Sequence, residues 1–125
     1  MGAVDVVPFV PIKNATMADC VEISKNVAKQ IWERFRVPVY LYEASASSPE
    51  RENLAKIRKG QFEGFGEKIQ QAEWAPDYGE REIHPSAGVV AVGARMPLIA
   101  YNVNLGTDNL EIANKIAHAV RHLSG

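Results

Sequence analysis

The sequence predicts an α+β fold, a ferredoxin-like sandwich in which helices cover a mixed or antiparallel sheet. Strand-like runs and helical patterns follow one another in the order strand, helix, strand, short helices, strand, strand, helix. Hydrophobic residues make up 46% and charged residues 23% of the chain, which is typical of a globular protein. The length of 125 residues fits one domain with a core of its own.

The first elements are a strand and a long helix. β-Branched residues in Ala3–Pro11 predict a strand, and Pro8 puts it at a sheet edge or a bend because proline cannot donate to a neighbouring strand. Thr16, followed three residues later by Asp19, is typical of a helix start. We therefore predict a helix over about Met17–Phe35. Its apolar stripe consists of Met17, Cys20, Val21, Val27, Ile31 and Phe35.

The middle of the chain reads as a second strand, two short helices and a long loop. Val37–Tyr42 is the strand, and Pro49–Ile57 is a short helix with proline in its first turn. Gly60 interrupts the pattern, and a further short helix is predicted around Phe65–Ala72. Trp74–Gly88 has no period and contains two prolines, so it is predicted to be irregular.

The last third is predicted to form a hairpin and a helix. Val89–Arg95 and Pro97–Asn104 read as two strands around a tight turn near Met96, and a helix follows Asp108. The buried stripe of that helix is predicted to be Ile112, Ile116, Val120 and Leu123.

Charge and composition exclude several classes of function. Lys and Arg number 14 and Asp and Glu 15, which argues against a nucleic-acid partner because such proteins normally present a basic face. No apolar run approaches the roughly 20 residues of a membrane helix. The lone Cys20 cannot form an intramolecular disulfide, which suits a reducing compartment. We therefore expect a cytoplasmic protein without a membrane segment.

The sequence offers no motif for a metal or a nucleophile. His118 and His122 are four residues apart on the last helix, but no third ligand stands at a fixed offset, so we expect no metal site. Cys20 falls on the apolar stripe of the first helix, which favours core packing over thiolate chemistry.

Two features remain open on the residues alone. The Trp74–Gly88 loop mixes aromatic, acidic and basic residues and His84, which suits a flat, hydrogen-bonding ligand. The alternative is a solvated crossover with Trp74 tucked into the core. Asp5 lies inside an apolar strand, where it either points inward and must be paired or points outward to solvent.

Five stretches of the sequence carry a resemblance that goes further. They are Gly2–Pro11, Val37–Tyr42, Gln71–Gly79, Gly93–Arg95 and Leu98–Thr107. Together they resemble glutamate formimidoyltransferase, which is also the first part of formimidoyltransferase-cyclodeaminase. The Gly-Ala-x-Asp-Val-x-Pro-Phe and Glu-Trp-Ala-Pro-Asp stretches are the specific ones.

The resemblance implies a transfer of a formimidoyl group between 5-formimidoyltetrahydrofolate and L-glutamate, in histidine degradation. Tetrahydrofolate is then the co-substrate, with L-glutamate or N-formimidoyl-L-glutamate as the other ligand and no metal. The family's transferase has two ferredoxin-like lobes with folate between them. Residues 1–97 resemble the back half of the first lobe, and residues from about 98 to 125 the start of the second.

The resemblance also implies site residues. The family's catalytic histidine belongs to a His-Pro-Arg triplet that would stand just before Met1, so we expect a truncated chain that is inactive alone. Within the chain we expect no residue to replace that histidine; Asp5, which would help to orient the site, and His84 are the two candidates for a catalytic role. The alternative is a non-catalytic folate-binding subunit whose partner supplies the histidine, and a homodimer through a sheet edge is a further option. The residues implied to contact folate are Gly79, Glu80, Arg81, Glu82, Ile83, His84, Pro85, Ser86, Ala87 and Gly88.

Overall fold

Strands and helices alternate in the protein, which a computed structural model describes at residues 1–100 and 102–120. The strands of this part are β1 (Val6–Phe9), β2 (Val39–Glu43) and β3 (Val90–Ala94). Its helices are α1 (Met17–Phe35), α2 (Pro49–Glu52), α3 (Leu54–Arg58), α4 (Gln61–Lys68) and α5 (Leu110–Val120), with a 3-10 turn at Ala72–Trp74.

The three strands form one open sheet in the order β1-β3-β2, and both pairings are parallel. Val6 pairs with Ala91, and Val39 pairs with Val90. β1 is an edge strand, as Pro8 predicted. All five residues of β3 are buried, as expected for a central strand that is covered on both faces.

The α+β class is confirmed, but the prediction of a mixed or antiparallel sheet is wrong, and the ferredoxin-like arrangement is not confirmed. That prediction depended on Pro97–Asn104 pairing with β3 as a hairpin. In the structure β1 and β2 occupy both sides of β3, which leaves no position for a hairpin partner. The described residues of 97–104 are irregular. The unbroken apolar run of β3 is itself typical of a parallel strand rather than a half-exposed hairpin.

Helices cover both faces of the sheet, and alternate residues of the strands point to different helices. Val39 and Leu41 pack with Ala28 of α1. Tyr40 and Tyr42 point the other way, because successive strand residues face opposite sides. The two tyrosines pack with Ile57 of α3, Phe65 of α4 and Ile69.

α1 begins and ends as its sequence predicts. The Thr16 hydroxyl accepts from the Asp19 amide at 3.2 Å, and the Asp19 carboxylate accepts from the Thr16 amide at 2.7 Å. The Thr16 amide and the Thr16 hydroxyl both donate to the Asp19 carboxylate, and these two hydrogen bonds hold the pKa of Asp19 below its usual range. Arg36 ends the helix in the left-handed region, with a φ of 56°. Phe35 was predicted to be buried but is 65% exposed, because the buried row of α1 runs through Cys20, Ser24 and Ala28 instead.

The short helices differ from the prediction at their boundaries. The helix predicted over Pro49–Ile57 is two helices, because Asn53 adopts an extended backbone between them and its side chain caps α3. The helix predicted around Phe65–Ala72 begins earlier, since Gly60 starts α4 with a φ of 93°.

α5 is present, but the prediction of a buried stripe is wrong. Ile112 is 45% exposed, Ile116 40% and Val120 68%, while Leu123 lies outside the described residues. Among those residues α5 makes no extensive contact with another helix or strand, so its apolar side chains have nothing to pack on. In residues 1–100 and 102–120 every helix is too short or too polar to cross a membrane.

Candidate functional site

The segment from Trp74 to Tyr78, which we call the loop base, is anchored to β2 by a buried ion pair. Arg51 Nη1 donates to Asp77 Oδ2 at 2.8 Å, and both side chains are at most 10% exposed. The same carboxylate oxygen accepts from the backbone amide of Leu41 at 2.8 Å. Arg51 Nη2 donates to the carbonyls of Glu73 and Ala75. A buried pair needs such additional partners to offset the loss of water.

Aromatic contacts complete the loop base. The Tyr40 hydroxyl donates to the Trp74 carbonyl at 2.5 Å, and burial raises the pKa of that hydroxyl. Trp74 packs half-buried against the core, as one of the two alternatives for this loop required. Lys68 Nζ lies 3.9 Å from the centroid of the Trp74 ring.

Lys68 is itself held by the end of α3. Its ammonium donates to the carbonyls of Lys56 and Ile57 at 2.7 Å and to that of Lys59 at 3.2 Å. Burial, with the nearby charge of Lys59, lowers the pKa of Lys68 to about 8. Lys68 therefore connects the last turn of α3 to the ring of Trp74.

The segment from Gly79 to Gly88, which we call the loop tip, begins at a glycine that packs against Trp32 of α1 and against Pro38, the residue before β2. Gly79 has a φ of 121°, and a Cβ atom there would lie 3.0 Å from Pro38 Cα and 3.1 Å from the Trp32 ring. The next three residues, up to Glu82, are exposed. The loop tip therefore projects into solvent immediately after the loop base.

Residues 84–88 form a closed turn around the ring of His84. His84 and Gly88 exchange two backbone hydrogen bonds of 3.0 and 2.8 Å. Inside the turn, His84 Nδ1 accepts from the backbone amides of Ser86 at 3.3 Å and Ala87 at 3.0 Å. Gly88 has a φ of 67°, and a Cβ atom there would lie 2.3 Å from the Met1 carbonyl oxygen.

Two cavities meet at this turn, and His84 lines both of them. The first holds about 420 Å³ and the second about 510 Å³. The first is almost entirely apolar, and its lining residues are Ala3, Val4, Ile31, Phe35, Val37, His84, Ala87 and Val90. The second is polar, and its lining residues are Trp32, Arg36, Glu80, Glu82, Ile83, His84 and Pro85.

The cavities together offer both surfaces that a flat, polar-edged ligand needs. The first has apolar walls, and the second has a cation on Arg36 and carboxylates on Glu80 and Glu82. Each volume lies in the range of small-molecule sites, about 300–1,000 Å³. Six of the ten predicted contact residues line at least one cavity; they are Glu80, Glu82, Ile83, His84, Pro85 and Ala87.

Asp5 lies apart from these cavities. Its side chain is 33% exposed and forms ion pairs with the Arg58 guanidinium and, at 3.3 Å, with the Met1 amino group. The carboxylate is therefore paired, although it is not fully buried. Asp5 and His84, the two candidate catalytic residues, do not line a common cavity.

Comparison with known proteins identifies the family. Residues 1–95 match the family described as the formiminotransferase domain, N-terminal subdomain. The chain belongs to this family. The resemblance read from the sequence is thereby confirmed.

Individual relatives agree. Over 125 residues this formiminotransferase-domain chain is 63% identical to the glutamate formimidoyltransferase of Streptococcus pyogenes serotype M1, of which it covers 42%. It is 48% identical over 122 residues to the formimidoyltransferase-cyclodeaminase of Dictyostelium discoideum, with 97% of this chain and 22% of that protein covered. It is 44% identical over 126 residues to the glutamate formimidoyltransferase of Thermoplasma acidophilum, with 99% and 41% covered. The chain thus spans less than half the length of these relatives.

Sequence reasoning missed the contribution of α1 to the cavities. Trp32, Phe35 and Arg36 all line them, and the Arg36 guanidinium lies 5.1 Å from the centroid of the Trp32 ring. The signal was the helix end itself, where only Val37 and Pro38, and no glycine, separate Arg36 from β2.

Of the other two histidines, His118 is exposed on α5 and lines neither cavity, while His122 lies outside the described residues. In the described part of the chain no three His, Cys, Asp or Glu side chains are grouped closely enough to hold a metal ion. Cys20 is buried, as its position on α1 predicted.

Proposed function

We propose that this chain carries the folate-contacting part of a glutamate formimidoyltransferase. In that reaction a formimidoyl group moves between 5-formimidoyltetrahydrofolate and L-glutamate during histidine degradation. The observation that carries the proposal is the position of the loop tip. The loop tip, which resembles the folate-contacting segment of the family, lies between an apolar and a polar cavity and contributes residues to both.

The chemistry of folate fits this pair of cavities. Its ring system is flat, with apolar faces and hydrogen-bonding edges, and its tail ends in carboxylates. The apolar cavity, with Phe35 in its wall, suits an aromatic face. In the polar cavity the Arg36 guanidinium suits a carboxylate, and Glu80 and Glu82 accept from ring N–H groups.

The transfer itself needs a base that these cavities are not proposed to supply. The glutamate amine attacks the amidinium carbon, a C–N bond to glutamate forms, and the bond to the folate nitrogen breaks. The amine loses one proton and the departing nitrogen gains one, which suits a histidine that titrates near neutral pH. The printed sequence contains no His-Pro-Arg triplet. We therefore expect this chain to bind folate and leave the proton transfers to that triplet in the longer relatives.

Asp5 is proposed as a positioning residue in this scheme. The reacting centre is cationic, so a nearby carboxylate stabilises it. In the family's pattern the triplet stands just before Met1, and Asp5 lies between that position and the start of β1 at Val6. Its pairing with Arg58 holds the carboxylate in one orientation.

The domain assignment is also a proposal. Residues 1–97 are assigned to the first lobe and residues from about 98 to 125 to the start of the second. Two observations support the division: the family match ends at residue 95, and β3 ends at Ala94. A cytoplasmic location is proposed for the whole because the buried Cys20 is a free thiol.

Calorimetric titration with folinic acid tests the binding proposal. We expect a saturable heat from the 125-residue chain and about tenfold weaker binding by Phe35→Ser, because the apolar cavity loses an aromatic wall. Ile23→Ser is the matched control: it removes an exposed apolar side chain from the same helix but lines neither cavity. Absence of binding by the unaltered chain would overturn the proposal, as would equal affinity of all three proteins.

An assay of formimidoyl transfer separates binding from catalysis. The chain alone is expected to show no rate above background, and transfer is expected to appear only when a partner supplies the His-Pro-Arg segment. Transfer by the chain alone would place the base among its own residues.

A further inference from the structure

The His84 ring lies inside the turn of residues 84–88, where two backbone amides donate to it. We propose that His84 is a positioning residue that holds residues 84–88 in their closed turn only while its imidazole is uncharged. For ligand binding this inference rests on the proposed function, because the turn forms one wall of both cavities.

The hydrogen bonds assign the proton on the ring. A neutral imidazole has one nitrogen that donates and one that accepts. The backbone amides of Ser86 and Ala87 can only donate, and both point at Nδ1, at 3.3 and 3.0 Å. Nδ1 is therefore the acceptor and Nε2 carries the proton.

Protonation removes this arrangement. In the imidazolium both nitrogens donate, so an Nδ1–H would face two backbone N–H groups, with the Ser86 hydroxyl oxygen, 3.4 Å away, left to accept from it. The amide of Ala87, a half-buried residue, would lose its partner. The paired backbone bonds between His84 and Gly88 close the ends of the turn, but nothing else in the described residues accepts from the two inner amides.

The charges around the ring do not substitute for the lost bonds. In the polar cavity the ring is accompanied by Arg36 from the end of α1 and by Glu80 and Glu82 from the loop tip. In the apolar cavity its neighbours carry no charge. Among the described residues His84 forms no ion pair within 4 Å.

The consequence is a binding surface that depends on pH. Histidine side chains change charge between about pH 5 and pH 8. The closed turn should open as the pH falls and the ring gains its second proton, and affinity for folinic acid should fall with it.

Two substitutions of His84 distinguish the loss of the hydrogen-bond acceptor from the gain of positive charge on the ring. In His84→Asn the side-chain oxygen accepts from backbone amides two and three residues further on, as in an Asx turn, but does not titrate. His84→Leu removes the acceptor altogether. His118→Asn is the control, because that histidine is exposed on α5.

Nuclear magnetic resonance on the 125-residue chain tests the turn without a ligand. At pH 8 we expect the ¹⁵N shifts of His84 to show an unprotonated Nδ1 and a protonated Nε2. The amides of Ser86 and Ala87 should lose protection against hydrogen exchange with the same midpoint as the ring. His84→Asn should stay protected throughout, and His84→Leu should be unprotected at every pH. A proton on Nδ1, or full protection in His84→Leu, would overturn the inference.

Titration with folinic acid then measures the consequence. Between pH 8 and pH 5.5 affinity should fall about two- to tenfold in the unaltered chain and in His118→Asn, the range expected for losing one net hydrogen bond. His84→Asn should keep its affinity over the same range. A flat profile in the unaltered chain would contradict the inference but leave the proposed function standing. If folinic acid does not bind at any pH, the proposed function fails while the resonance experiment still decides the role of His84.

Discussion

The loop base and the loop tip are neighbours in sequence, yet they are held in different ways. In the base, the Asp77 carboxylate is buried and bound by Arg51 and by the amide of Leu41 on β2. The tip is largely exposed, and its closed turn depends on the ring of His84. The base therefore belongs to the folding unit, while the tip is free to respond to a ligand.

This contrast indicates how one irregular segment serves two purposes. A loop that carries binding groups must be positioned by a rigid support. Asp77 and the ring of Trp74 supply this support. They fix the position and direction of the chain at the point where the loop tip begins. Substitutions in the base should change stability, and substitutions of the exposed residues of the tip should change binding.

The largest expected effect is in the base. Asp77→Ala leaves the Arg51 guanidinium charged and buried without its carboxylate, which should lower the free energy of unfolding by about 3–5 kcal/mol. Urea denaturation measures it. Glu73→Ala is the control, because Glu73 contributes only its backbone carbonyl to Arg51 and should change stability little. If Asp77→Ala weakens ligand binding without lowering stability, the division into base and tip is wrong.

The junction between the tip and β3 should be nearly as sensitive. In Gly88→Ala the new Cβ atom would lie 2.3 Å from the Met1 carbonyl oxygen, and the alanine would have to adopt a φ of 67°. We therefore expect the free energy of unfolding to fall by about 1–3 kcal/mol. Gly66→Ala in α4 is the matched control, since no atom lies within 4 Å of its Cβ position. It should stabilise the protein by about 0.4–1 kcal/mol. Equal melting temperatures for the two variants would show that the junction is not strained.

Lys68 gives the base a dependence on pH of the same sign as the one proposed for the tip, but in a more alkaline range. The pKa of Lys68 in the folded protein is about 8, below the ordinary lysine value of 10.5. Between these values the unfolded chain binds more protons, so the contribution of Lys68 to stability rises with pH from about 8 to 10.5 and is constant below 8. Urea denaturation of the unaltered chain and of Lys68→Met should differ in slope over that range. If the free energies of unfolding of the two proteins change in parallel over that pH range, Lys68 is not the source of the pH dependence.

The smallest effect is expected at Asp5, which belongs to neither half of the loop. Its ion pair with Arg58 is half-exposed, so Asp5→Asn should cost no more than about 1 kcal/mol. Because Asp5 lines neither cavity at the loop tip, folinic acid should bind the variant as it binds the unaltered chain. A tenfold loss of affinity would extend the site to the entry of β1.

Local signals explain what the sequence predicted well. The start of α1 followed from the Thr16–Asp19 cap, and the irregular loop followed from its prolines and glycines, because both depend on nearby residues. The prediction of the sheet was wrong because strand pairing is decided by partners that are distant in sequence. Nothing close to β3 indicates that β1 and β2 occupy both its sides.

The candidate site shows the same limit. The resemblance marked the loop tip, but Trp32 and Arg36 come from a helix end far away in sequence, and the pairing of Arg51 with Asp77 carries no local pattern. The stripe of α5 was predicted from spacing alone. Spacing shows which side chains share a face, but not whether that face is covered.

The all-parallel sheet also has a consequence for the folding kinetics of this chain. Parallel strands cannot be joined by a tight hairpin, and Val6 pairs with Ala91 across most of the described sequence. Contacts between such distant residues form slowly, because a long loop must close before any of them stabilises the chain. We expect α1 to form early and β3 to enter the sheet late. The loop tip leads directly into β3, so a completed ligand site would report that the whole sheet has assembled.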